Sequence, residues 1–99
     1  MKTATDILRD RNKGDKSFED RVEKERLNAH VAQLVYDART KAGLTQAELA
    51  ELLNTEQPSI ARLEDADYDG HSLSMLARIA SALHQRLEVN FVPELELQA

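Results

Sequence analysis

The sequence predicts an all-α domain of four or five helices, with a helical extension before it and one short strand after it. Three observations carry this. Phe18 to Lys41 holds no glycine or proline and is rich in helix formers. From Thr45 to Leu83, capping residues precede short segments whose apolar side chains recur at helical steps. Leu87 to Val92 alternates instead, and Pro93 closes it, which is a strand pattern.

The first element lies in an arm dense in mixed charge. Thr5 is the expected cap of a short helix through Ile7 and Leu8, with Gly14 as its stop. So few apolar residues offset little ordering entropy, so the arm is expected to be disordered or loosely helical until something binds it. The long helix follows. Leu27, Val31, Leu34, Val35 and Ala38 fall on one face, expected toward the core, and Gly43 ends the helix. Phe18, Val22, Ala29 and Tyr36 form a second stripe on the other side. It reads either as a frayed first turn without a role or as a surface for a partner.

Thr45-Gln46-Ala47-Glu48 has the capping-box pattern, with Leu49, Ala50, Leu52 and Leu53 as the buried face behind it. Asn54 stands where the chain must turn sharply, and asparagine tolerates left-handed angles. The next helix starts between Thr55 and Pro58, with Gln57 as a candidate cap and Ile60 and Leu63 inward. Ser72 caps a further helix with Leu73, Leu76, Ala77, Ile79, Ala80 and Leu83 inward. The strand that ends the chain has no partner within it. Its backbone would be satisfied by a copy of itself across a two-fold axis, through Leu87, Val89 and Phe91, or it is an extended tail packed on the core. The first reading is preferred, because a lone strand cannot pair its own amides.

Two short helices joined by a tight turn, Gln46–Asn54 and Thr55–Asp65, make a helix-turn-helix pattern. Ala50 and Ile60 are where they are expected to meet, and a side chain larger than Ala50 would push them apart. The second helix would then turn Gln57, Ser59 and Arg62 outward, where such a helix presents its first residues to base edges in the major groove.

The segment TQAELAELLNTEQPSIARLE resembles the lambda-repressor/Cro-like helix-turn-helix of the XRE family, with Gln46, Ala50, Ile60, Arg62, Leu63 and Glu64 at matching positions. YDGHSLSMLARIASAL is similar to that family's next helix, so the resemblance spans Arg39 to Leu83. The helical extension and the LEVNFVP strand further resemble HigA-type antitoxins of toxin–antitoxin pairs. The resemblance implies a lambda-repressor-like helix-turn-helix fold with an N-terminal helical extension and a C-terminal dimerising β-strand. It implies Thr45 and Gln46 at phosphate, Gln57 and Ser59 at bases, and Arg62 at phosphate or a guanine edge. Three departures stand out: Asn54 for the usual turn glycine, Thr55 where a buried valine is common, and Glu56 where a small hydroxyl is common. Glu56 places negative charge against phosphate.

Charge cuts across this reading. The chain carries 13 Lys+Arg against 18 Asp+Glu, a net of −5. Residues 1–28 hold eight cations and seven anions, net +1, so residues 29–99 are at −6. From Arg39 to Leu83, four cations face seven anions, net −3. A polyanion-binding domain is usually basic, so low non-specific affinity is expected. Arg39, Lys41 and Arg62 lining one face would compensate, a dimer would double the contacts, and a basic partner would help.

Other chemistry is not expected. Cysteine is absent, which excludes disulfides, thiolate metal sites and thiol catalysis. Asp65-Ala66-Asp67-Tyr68-Asp69-Gly70 matches half of a calcium loop, but Leu76 occupies the position needing a bidentate carboxylate. His30, His71 and His84 lack metal-ligand spacing, and Ser72 and Ser74 lack a nearby base. No cofactor and no enzymatic activity are therefore expected. Four aromatic residues leave little stacking surface for single strands. No apolar run approaches a membrane span, and the start, MKTATDILRD, lacks a secretory signal's apolar core. A cytoplasmic protein is expected, prokaryotic and nucleoid-associated when DNA-bound if the resemblance holds.

The expected organisation is a partner-binding arm over 1–24, a helix-turn-helix domain over 25–85, and a strand and tail over 86–99. The expected partners are operator DNA, a second copy of the chain, and a cognate RelE-like ribonuclease toxin held by Ile7, Leu8, Phe18 and Val22. The competing expectations are a stand-alone XRE-family repressor without a toxin, and an interaction module that has kept the fold but lost DNA binding.

Overall fold

The computed structural model describes residues 1–11 and 16–93. Five helices follow in order: α1 (Ala4–Arg11), α2 (Lys16–Lys41), α3 (Gln46–Leu52), α4 (Gln57–Leu63) and α5 (Leu73–Ala82). The first helix is capped by Thr3 rather than by Thr5. The Thr3 hydroxyl accepts from the Asp6 N–H, and the Asp6 carboxylate accepts from the Thr3 N–H, each at 3.1 Å. Asp6 is three residues beyond Thr3, so two orphan donors are met reciprocally, which Thr5 could not arrange. Gly14, the expected stop, lies outside the described residues. The long helix passes residue 24, the expected end of the arm, without a break.

The core gathers Val35 from α2, Leu49, Ala50 and Leu53 from α3 and its end, Ile60 and Leu63 from α4, and Ile79 and Leu83 from α5 and its end. Leu49 and Ile60 are fully buried. Each such side chain contributes about 1.5–3 kcal/mol relative to exposure. Ala50 is buried beside them, as the close approach of α3 and α4 requires.

On α2 the buried side is only partly the one expected: Val35 is in the core and Ala38 packs against it. Ala32, Val35 and Arg39 are buried, while Leu27 and Leu34 are exposed. At about 100° per residue, the true inward face is rotated by roughly 120° from one drawn through Leu27 and Leu34. Arg39 belongs to that face, and a pattern built from apolar residues alone leaves it out. Leu52 and Leu73 are likewise exposed instead of inward, as is Ala77. On the seven-residue α3 the core is reached by Leu49, Ala50 and Leu53, and Leu52 lies off that arc. Leu73 starts α5, before the turns that reach the core.

Three helices end alike. Gly43, Asn54 and His84 have φ of 77°, 56° and 58°. Behind each, the next residue's N–H reaches back across the last turn: Leu44 to Arg39 O at 3.2 Å, Thr55 to Ala50 O at 2.9 Å, and Gln85 to Ala80 O at 2.7 Å. This is the Schellman closure, which satisfies orphan carbonyls and turns the chain sharply. Between α4 and α5, the His71 Nε2 lies 2.7 Å from the Leu63 carbonyl, and Tyr68 packs edge-on to the ring. The carbonyl only accepts, so Nε2 carries the proton. That is a structural role for this histidine. A Cβ on Gly70 would collide with the Tyr68 ring, so Gly70 allows that packing.

No strand is present among the described residues. Residues 85–93 take no regular structure within the single chain, and Val89, Phe91 and Val92 are exposed while Leu87 is half-buried. A strand needs a ladder partner, and the described part of the chain supplies none.

Candidate nucleic-acid interface

The candidate interface is built on the two short helices. The Thr45 hydroxyl accepts from the Glu48 N–H at 3.0 Å, and the Thr45 N–H donates to Glu48 Oε1 at 2.9 Å. This is the expected capping box, and it holds the Glu48 carboxyl below its ordinary value. It also fixes where Gln46, the first residue of α3, projects. The turn at Asn54 then delivers α4. Glu56, not Gln57, is the N-cap of α4, with extended angles and no side-chain cap bond. Pro58 sits in the first turn, where its missing N–H costs nothing, and the non-helical angles fall to Glu56. Gln57 is thereby the first helical residue.

Of the residues singled out from sequence, Thr45, Gln57 and Arg62 are exposed, and Gln46 and Ser59 are half-buried. Gln46 and Gln57 touch. Gln57 Nε2 donates to Gln46 Oε1 at 2.6 Å, and Gln46 Nε2 donates to Glu64 Oε1 at 3.0 Å. Arg62 stands in the last turn of α4. Glu56 is exposed at the start of the same helix, and Thr55 is half-buried where a valine was the family expectation.

Arg39 is a correction. Expected with Lys41 and Arg62 on a phosphate-facing surface, it is buried. Its Nε donates to Glu64 Oε2 at 2.6 Å, its Nη2 to Glu64 Oε1 at 2.9 Å, and its Nη1 to the Leu44 carbonyl at 2.8 Å. The two side chains are 10% and 5% exposed. The fork-on-carboxylate geometry is the strong form of an ion pair. Burial alone would push the Glu64 carboxyl up. The hydrogen bonds from Arg39 and Gln46, with the charge of Arg39, outweigh it and hold the carboxyl below its usual range. The guanidinium is in turn raised by its bonds to Glu64, against the effect of burial.

Sequence reasoning missed this pair, although a signal was present. Arg39 follows Val35 by four residues and Glu64 follows Ile60 by four, so opposite charges continue two buried stripes. Arg78, also unassigned from sequence, reaches from α5 to the Leu53 carbonyl at 2.9 Å and so braces the end of α3. With Arg39 withdrawn, Lys41 and Arg62 remain exposed of the three cations expected there.

A family model described as a helix-turn-helix domain matches residues 15–91. The chain belongs to that helix-turn-helix family. No curated protein and no solved structure matches it. As a helix-turn-helix protein it has a DNA-binding architecture, in which the second helix of the motif enters the major groove. That helix is α4. Among the described residues, no cluster of His, Asp or Glu is placed to hold a metal ion, and no helix is long and apolar enough to cross a membrane.

Proposed function

We propose that this helix-turn-helix protein is the antitoxin of a type II toxin–antitoxin pair. In this reading a homodimer represses its own operon by sequence-specific DNA binding, and the N-terminal helices neutralise a cognate RelE-like ribonuclease. The observation that carries the DNA half is the outward face of α4, where Gln57 and Arg62 are exposed and Gln57 is joined to Gln46. A glutamine can read adenine through two hydrogen bonds. Thr45 and Gln46 would meet phosphate at the start of α3, and Ser59 would meet a neighbouring base.

The toxin half is supported by the resemblance to HigA-type antitoxins and by the exposure of the N-terminal helices. Residues 17–27 of α2, eleven of its 26, are exposed throughout, and none of them belongs to the core. Ile7, Leu8, Phe18 and Val22 are exposed along α1 and early α2. Helix-in-groove binding uses such anchors, and the acidic balance of the chain suits a basic ribonuclease. The homodimer is supported by the tail, since a copy of Leu87, Val89 and Phe91 across a two-fold axis would complete the ladder. Operator half-sites are then expected about one helical turn apart.

Co-expression with any small basic reading frame found beside this gene tests the assignment. Co-purification of the two products, lost on deletion of residues 1–24 while the remainder stays folded, is the expected result. A neighbour that never co-purifies would leave a stand-alone XRE-family repressor. Failure of any duplex to shift, with or without that neighbour, would leave an interaction module that does not bind DNA.

A further inference from the structure

An unbroken line of hydrogen bonds ties the outermost amide of the interface to a buried ion pair. Its polarity follows from chemistry. A carboxylate only accepts, so both oxygens of Glu64 must meet donors. Arg39 supplies two, and Gln46 supplies a third through Nε2 at 3.0 Å. Gln46, its amide nitrogen committed inward, turns Oε1 outward. Gln57 must meet that oxygen with its own Nε2, which it does at 2.6 Å. What Gln57 has left is one amide hydrogen and its carbonyl oxygen. That donor–acceptor pair complements N7 and N6–H of adenine. The opposite polarity would turn the amide nitrogen outward, two donors facing the N7 and O6 acceptors of guanine.

We infer that Glu64, held by Arg39, is a positioning residue: it sets the amide polarity of Gln57 and so makes it prefer adenine over guanine. The inference rests on the proposed reading of DNA by Gln57. Glu64 touches no base in this account. It acts through Gln46, and its ionised form is the root from which each donor and acceptor in the line is assigned.

Replacing Glu64 alone strands the Arg39 guanidinium in the core, so the test uses Arg39→Met/Glu64→Met, which removes the root and both buried charges together. Two readouts are taken on the full chain. In the free protein, the side-chain amide resonances of Gln57 are followed by NMR, assigned through their loss in Gln57→Ala. With DNA, duplexes selected from a random pool by the wild type are compared with versions carrying guanine for each adenine. The double variant is expected to stay folded and to shift the Gln57 amide resonances. Its adenine preference should fall about tenfold, with affinity for an unrelated duplex unchanged. Unmoved Gln57 resonances in the folded double variant would overturn the relay whatever the DNA result. Moved resonances with the preference intact would overturn the specificity role. If the wild type itself shows no base preference, the DNA reading of Gln57 fails and the specificity role with it, while the resonances still report whether the relay exists.

Discussion

Gln57 donates to Gln46 across the turn between α3 and α4, Nε2 to Oε1 at 2.6 Å. The contact joins the residue proposed to read a base to the residue proposed to meet phosphate. Gln57→Ala is therefore expected to cost about 1–3 kcal/mol of binding to a selected duplex. Binding to an unrelated duplex should not change. Anisotropy titration of both duplexes at one salt concentration checks this, and equal losses on both would show that Gln57 serves general affinity instead.

Arg62 offers a separate test through salt. It is exposed on α4 and is the one Lys or Arg in the sequence between Lys41 and Arg78. If its guanidinium meets phosphate, Arg62→Ala should weaken binding to all sequences alike and reduce the slope of log K against log salt by about one. If it meets a guanine edge, the loss should concentrate at one base position and the slope should hold. A variant with unchanged affinity and slope would remove Arg62 from the interface.

The Arg39–Glu64 pair links stability to acid. The folded state holds the Glu64 carboxyl below its ordinary value of 4.5. A lowered carboxylate contributes stability that is fully present above the unfolded value and is lost as the pH falls through the folded one. Thermal melts from neutral pH down to pH 3 should therefore show a falling midpoint below about pH 4.5 that includes this group. In Arg39→Met/Glu64→Met the acid limb should be shallower. Glu64→Ala alone should cost about 3–5 kcal/mol at neutral pH, because it leaves a buried guanidinium without its carboxylate. An acid limb of the same steepness in the double variant would assign the acid sensitivity to other carboxylates.

The turn makes two opposite demands on size and backbone. Ala50 is buried where α3 approaches α4, so Ala50→Leu should destabilise by about 1–3 kcal/mol and separate the helices. Asn54 carries φ of 56°, so Asn54→Val should cost about 1–2 kcal/mol while Asn54→Gly should not destabilise. Urea denaturation of the three variants measures this. A stable Ala50→Leu protein that still binds its duplex would contradict the close helix approach.

The helix starts were legible because capping is local chemistry. Thr45 and Ser72 cap as their sequence contexts imply, and Asn54 takes the left-handed angle its turn demands. Thr5 was misleading because Thr3 has Asp6 at the spacing that closes a reciprocal pair. The inward face of α2 was only partly legible because it contains a charge. Arg39 looks like a surface residue until Glu64, 25 residues later, is placed against it. Gln57 was legible as an outward-facing residue, and Gln46 through the family resemblance, but their contact depends on the turn's tertiary geometry, which no single-helix pattern encodes. The tail shows a related limit: alternation over Leu87–Val92 marks a face, and the partner proposed for it is a second copy of the chain.

That partner can be tested directly. If the tail pairs across a two-fold axis, Phe91→Asp should shift sedimentation from dimer to monomer and weaken binding to a two-half-site duplex more than to a single half-site. A Phe91→Asp protein that remains dimeric would place the interface elsewhere.

The account depends above all on the outward face of α4 reading a duplex. The most direct measurement is the ratio of affinities for a duplex selected from a random pool and for its scrambled counterpart, at one salt concentration. The account predicts a ratio of about a thousand or more, as for specific protein–DNA complexes, and its collapse in Gln57→Ala/Arg62→Ala. A ratio near one for the wild type, or a high ratio that survives the double substitution, would contradict it.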